Sequence, residues 1–227
     1  MVCYHGARTQ FTDECNEHRV EWLFLLTHRD SMPYQAMVEQ AVASYQATFR
    51  AAVDMAQQLH LDPIGSLDFN TRSLIGEFAK AQFADVRTGY RIEDKRKCAI
   101  YVFTLATPCP SAQIWDQIDG AKFGAACNDG YKNLCSVNHM HRDSSTLYIG
   151  RSFTPRSRLR DHLNESSGRT YAMHLQQWAQ PLALQLQVRV FDVRQYNDTP
   201  ELERAVNVLE TGLWDHLRPL LGRRGDK

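Results

Sequence analysis

The chain carries no net charge: 26 lysines and arginines balance 26 aspartates and glutamates across 227 residues. A protein without surplus positive charge does not adhere as a whole to nucleic acid or membrane, so any polyanion must be met by a local patch. It also lacks the roughly eighteen uninterrupted apolar residues that a membrane helix needs; "VEWLFLLTH" at Val20 to His28 is far too short. The opening "MVCYHGARTQ" has neither the charged nor the apolar region of a signal peptide. These absences lead to the expectation of a soluble, cytoplasmic protein with no membrane partner. Cysteine is sparse, with Cys3, Cys15, Cys98, Cys109, Cys127 and Cys135 as the full set. That density excludes a disulfide scaffold, and reduced thiols are expected. Cys109, Cys127, Cys135, His139 and His141 fall in one stretch, but no C-x-x-C is present and their spacing fits no standard zinc pattern. There is no G-x-x-x-x-G-K-[ST] phosphate loop, no internal repeat and no low-complexity tract.

What the chain does have is 43% hydrophobic residues, enough for a real core, arranged in two regions of different character. Residues 1–95 read as all-helical. Val38, Val42, Tyr45, Phe49, Val53, Ala56 and Leu59 recur by three and four, which predicts a long amphipathic helix over Tyr34 to His60. Shorter helices are expected at Glu17 to His28 and Thr71 to Phe83, with "LDPIGSLDFN" as the loop between helices.

Residues 96–227 read as a mixture of strands and helices. "CAIYVFTLA" has the pattern of a central strand, "TLYIG" is a second, and "LALQLQVRVFDV" alternates Leu184, Leu186, Val188 and Val190 inward with Gln185, Gln187 and Arg189 outward. Thr154 and Pro155 announce a helix start, as do Asp198, Thr199 and Pro200. Between the first two strands lies a Gly, Asn, Asp and Cys-rich insertion at 107–145, expected to loop out. The fold class expected is therefore α+β, a small mixed or antiparallel three-stranded sheet flanked by helices, behind an N-terminal all-helical region.

Arginine is concentrated in "TLYIGRSFTPRSRLRDHL": Arg151, Arg156, Arg158 and Arg160 stand with His162 just behind Tyr148. Arg158 and His162 are at i and i+4, so they share one helix face, while Leu159 and Leu163 share the next. Near the chain end, Glu210 lies four residues after Val206 and three before Leu213, on or beside an apolar face. A carboxylate there is costly unless paired, hydrogen-bonded or bound to a cation. By position alone, Glu210 suits equally an arginine-paired boundary residue and a metal ligand.

Taken in order, these pieces resemble the GIY-YIG nuclease superfamily. Ala99-Ile100-Tyr101 stands where the family has its first motif, and Tyr148-Ile149-Gly150 matches the second. "RSRLRDHL" resembles the arginine helix, and "VLETGLWDHLRPLLGRRG" the last helix and its tail. The resemblance spans about Ala99 to Gly222. It implies a Mg²⁺- or Mn²⁺-dependent endonuclease acting on DNA, with restriction-like compactness. Glu210 would hold the metal, Arg158 would stabilise charge on the phosphoryl oxygens, and Tyr101 or Tyr148 would handle the attacking water. His162 would accept the tyrosine's proton, and Arg151, Arg156, Arg160 and Arg169 would meet flanking phosphates. The helical region would add DNA grip, support or homodimer contacts. Three departures stand out: Ala99 replaces a glycine, Tyr101 and Tyr148 are 47 positions apart, and Gly222 stands about where the family keeps an asparagine. The missing asparagine motivates one alternative, a catalytically silent nucleic-acid-binding or interaction protein on the same fold; a nuclease toxin is the other.

Overall fold

A computed structural model of the protein describes residues 34–75, 98–126, 133–163, 170–193 and 200–225. The chain divides into two compact units, residues 1–48 and 49–227. The described part of the first is the opening of helix α1, Tyr34–Gln58. This helix is alanine-rich and free of proline and glycine, which favours a long uninterrupted run. Its expected apolar stripe forms but stays open to solvent at Val38, Val42, Tyr45 and Phe49. Further on, Ala52 is buried, and Met55 and Leu59 pack against a small cluster of Cys98, Ile100, Val193, Leu202 and Val206.

The second unit is built on strands β1 (Leu61–Asn70), β2 (Ala99–Leu105), β3 (Thr146–Ser152) and β4 (Gln185–Val193). They form one sheet in the order β1-β4-β2-β3, and every neighbouring pair is antiparallel. The helices are α2 (Ser111–Ala126), α3 (Pro155–Leu163), the short α4 (Leu175–Trp178) and α5 (Pro200–Leu217). The fold is thus α+β, an antiparallel sheet flanked by helices. Among the described residues no helix is long and apolar enough to cross a membrane.

Several expectations need correction. The sheet has four strands rather than three among the described residues, and the N-terminal region is not all-helical, because "LDPIGSLDFN" is β1. Pro63, Gly65, Asp62 and Asp68 give that segment the composition of a loop. An edge strand tolerates them, since a proline there removes no essential ladder bond, and the register indeed shifts between Pro63 and Gly65. Thr71–Ser73 is a single 3₁₀ turn rather than the start of a long helix, with Asn70 Oδ1 accepting from the Arg72 N–H at 2.9 Å. Residues 76–83, the proposed helix at Glu17 to His28 and the caps Asp198 and Thr199 lie outside the described residues.

One face of the sheet carries the main core. Tyr101 and Phe103 of β2 and Leu186, Val188 and Val190 of β4 join Leu159 and Leu163 of α3, with Leu175 and Trp178 of α4 in the same cluster. The segment read as an insertion contributes to this core: Ile114 and Ile118 of α2 are fully buried. Its last part, 133–145, is pinned to the C-terminal segment, with Asn138 N–H donating to Leu220 O and Gly222 N–H to Ser136 O, both at 2.9 Å. That C-terminal segment in turn lies along β3, where Leu220 and Leu221 N–H donate to Thr146 O and Leu147 O. Edge strand β3 is thereby covered rather than exposed.

Candidate active site

Strand alternation sends Tyr101 of β2 and Tyr148 of β3 to the same face, because Tyr101 pairs with Gly150 and Phe103 with Tyr148. The two phenol rings stack, 6.4 Å between centroids and 9° between planes. Gly150 makes this arrangement sterically feasible. A Cβ at that position would sit 2.6 Å from Tyr101 Oη and 2.9 Å from the Tyr148 ring. Gly222, at φ +109°, does the same from the other side, where a Cβ would stand 3.0 Å from Tyr148 Cε2. Because both rings are buried and cannot swing away, Gly150→Ala is expected to cost about 1–3 kcal/mol through overpacking. Urea denaturation reads this out, and an unchanged midpoint would contradict it.

Helix α3 supplies the next two groups. Pro155 opens it, and Arg158 N–H donates to Thr154 O at 3.0 Å, the first helical bond expected of a Thr-Pro start. One turn apart, Arg158 and His162 both reach the phenols. His162 is fully buried, its ring centroid 4.5 Å from that of Tyr148, and its Nε2 is 3.1 Å from Tyr101 Oη. The Met173 backbone N–H donates to His162 Nδ1 at 3.2 Å, so Nδ1 is the acceptor and a neutral ring must carry its proton on Nε2. Burial, then the nearby Arg158 charge and His174, hold the imidazole well below its usual pKa, so the ring is neutral. Nε2–H therefore donates to Tyr101 Oη. The direction is the reverse of the one the family resemblance implies, in which His162 accepts the phenol's proton.

A consequence concerns acid stability. A histidine with a depressed folded pKa stabilises the fold above its unfolded value, and that contribution is lost as pH falls toward the folded value. Below about 6.5 the unfolded chain takes up a proton at this site that the folded chain refuses, costing up to about 1.4 kcal/mol per pH unit. Denaturation at pH 7 and pH 5.5 is expected to show a smaller acid loss in His162→Gln than in the wild type. Equal losses would contradict the buried neutral ring.

Arg158 is the charged member of the cluster. Burial works against its charge, but the facing Tyr101 and Tyr148 phenols outweigh burial and hold the guanidinium protonated above its ordinary value. Its Nη2 donates to the Tyr171 carbonyl, and Asp161 lies 4.0 Å from Nη1. Burial is also the largest influence on both phenols, pushing their pKa values upward, with Arg158 pulling back against it. Both are therefore protonated at neutral pH. They differ in access: Tyr101 is 1% exposed and Tyr148 7%, while the side chain of Arg158 is 23% exposed. Tyr148 and Arg158 are the outer members of the cluster, Tyr101 and His162 the inner ones.

Glu210 belongs to a second pair. From α5 its Oε2 accepts from Arg151 Nε at 2.9 Å, the side chains being 17% and 23% exposed. Burial raises the Glu210 pKa, and the Arg151 charge and hydrogen bonds lower it again without cancelling the rise. Alternation puts Arg151 on the opposite face of β3 from Gly150. Cys98 lies beside the pair, its thiol pushed up to about 11 by burial against the lowering influence of Arg151. After burial and Arg158, the negative charge of Glu210 adds a smaller push that raises the Tyr101 pKa. Gly225 leaves space beside the carboxylate, where a Cβ would stand 3.4 Å from Oε2.

The structure thus gathers Tyr101, Tyr148, Arg158 and His162, with Glu210 and Arg151 as an ion pair nearby. Arg156 and Arg160 are exposed on the outer face of α3, and Arg169 lies outside the described residues. Sequence reasoning did not anticipate the contributions of Met173, Tyr171, Gly222 and Cys98. Two of these act through their backbone, for which no side-chain pattern exists. Cys135 is buried in the core, its thiol pushed up to about 12 by burial, and His139 and His141 pack their rings on Trp115 and Trp214. Among the described residues no group of three His, Cys, Asp or Glu side chains is placed to hold a metal ion. Compared with known proteins, the chain matches no family model, no curated protein and no solved structure.

Proposed function

We infer that the protein is a divalent-metal-dependent, restriction-like endonuclease that hydrolyses DNA phosphodiester bonds. The observation that carries this reading is the assembly, from β2, β3 and α3, of two stacked phenols, a histidine and a permanently charged guanidinium, with a half-buried carboxylate on α5 paired to Arg151 of the same strand β3. A hydrolase acting on a phosphodiester needs a fixed cation for the phosphoryl oxygens, a group that orients water and a carboxylate for a metal. The donor chemistry at Glu210 fits Mg²⁺ or Mn²⁺, hard cations that take one or two carboxylate oxygens and complete their shell with water and substrate phosphate. Such an ion, held by Glu210, would supply Lewis-acid polarisation of the phosphate.

The chain's own residues do the rest. Arg158 stays protonated in its phenol-lined setting and neutralises charge growing on the phosphoryl oxygens. Tyr148, the more exposed phenol, orients the attacking water by accepting a hydrogen bond from it. Tyr101 sits behind, its oxygen held by the Nε2–H of His162. Arg151 holds the Glu210 carboxylate in place and favours its ionised form.

A second reading, a nucleic-acid-binding protein without chemistry, is favoured by two observations. Arg151 already occupies Glu210, and Tyr101 is almost sealed from solvent. Incubation of the purified chain with Mg²⁺ and plasmid, linear duplex, single-stranded DNA and RNA separates the two. Hydrolysis of DNA is expected. Intact substrates throughout, with a persistent gel shift, would replace the first reading by the second.

A further inference from the structure

Beyond the candidate active site, a cavity of about 640 Å³ opens at the C-terminal end of α5. It is lined by His139, His141, Arg142, His216 and Arg218, against the single acidic side chain of Asp143. Hydrogen bonds brace the walls. Arg218 Nη2 donates to Met140 O, His141 Nδ1 lies 2.9 Å from Pro219 O, and Ser144 Oγ donates to Leu217 O. Arg218 itself adopts φ +48°, so the chain turns sharply there as it leaves the helix. Arg142 is exposed and makes no hydrogen bond or ion pair among the described residues, although Asp143 is its neighbour. Among the described residues its guanidinium braces nothing, whereas Arg218 braces the loop through Met140 O.

The cavity is tied to the candidate active site by one stretch of chain. Arg218 lines the cavity, Gly222 packs on Tyr148 and Gly225 stands beside Glu210. Seven residues span at most roughly 25 Å, less than one turn of duplex DNA at about 34 Å. A duplex is long enough to meet both places, and the arginines of the cavity suit its polyanionic backbone. Resting on the nuclease reading above, we propose that this cavity is a second phosphate-binding subsite, in which Arg142 and Arg218 hold the backbone of the same DNA duplex away from the bond that is cut. The contact is to phosphate and carries no sequence information of its own; it fixes the position of the duplex relative to Arg158 and Glu210.

The test uses the full chain and a fluorescein-labelled 20-base-pair duplex in EDTA, with affinity followed by anisotropy over a range of salt concentrations. Each lost phosphate contact lowers the magnitude of the salt slope by about 0.9. Arg142→Ala is expected to weaken binding and reduce the slope by about that amount, and Arg142→Glu to weaken it further. Arg142 is the cleaner position because its replacement breaks no side-chain bond among the described residues, whereas Arg218→Ala also loses the Met140 brace. Wild-type affinity and slope in both Arg142 variants would overturn the subsite while leaving the nuclease reading intact. No duplex binding by the wild-type chain at any salt concentration would overturn both.

Discussion

Glu210→Ala is expected to reduce metal-dependent DNA cleavage to below detection while leaving duplex affinity nearly unchanged. The carboxylate is the metal-holding group of the proposed site, and removing it takes a negative charge away from the approach of a polyanion. The substitution also strips Arg151 of its partner in a half-buried position, at a cost of about 1–3 kcal/mol. Glu210→Gln separates these effects. Its amide oxygen still accepts from Arg151 Nε–H, so the fold keeps most of its stability, yet the charge that binds a hard cation is gone. Both variants should be inactive and only the alanine variant measurably less stable. Cleavage by Glu210→Gln within about tenfold of wild type, roughly 1.4 kcal/mol, would remove Glu210 from the metal site.

Arg158→Ala should slow cleavage by about a hundredfold or more, the usual scale for losing one preorganised electrostatic stabiliser. The guanidinium is held by the Tyr171 carbonyl, lies near Asp161 and faces two phenols. It is thus oriented before a substrate arrives and needs little reorganisation. Arg158→Lys keeps the charge but loses the planar fork that can brace a carbonyl and a phosphate together, so it should recover only part of the rate. Single-turnover kinetics with saturating enzyme isolates the chemical step. A rate within twofold of wild type for Arg158→Ala would exclude this residue from the chemistry.

How far the sequence discloses this arrangement depends on what kind of signal each part leaves. Strands β2 and β4 are legible because one is almost continuously apolar and the other alternates cleanly, and α3 because Thr154-Pro155 marks its start. β1 is not, since an edge strand accepts the Pro63, Gly65 and two aspartates that read as a loop. The stretch 107–145 looks like a polar insertion, yet the apolar Ile114 and Ile118 drive α2 into the core. Tyr101, Tyr148, Arg158 and His162 stand out as motif residues, and they meet. The Arg151–Glu210 pair joins positions distant in sequence across the edge strand, and Arg151 reads at first as a phosphate contact. The direction of the His162–Tyr101 bond could not be read at all. A backbone N–H at Met173 sets it, and backbone groups are the same at every residue.

The central claim is hydrolysis of DNA at a site containing Glu210, and supercoiled plasmid tests it most directly. Wild-type protein and Glu210→Ala are incubated with the plasmid in Mg²⁺ and in EDTA. Nicked, linear or discretely banded product from the wild type in Mg²⁺ alone is the result the account predicts. Equal cleavage by Glu210→Ala, or plasmid left untouched by the wild type in Mg²⁺, would contradict it.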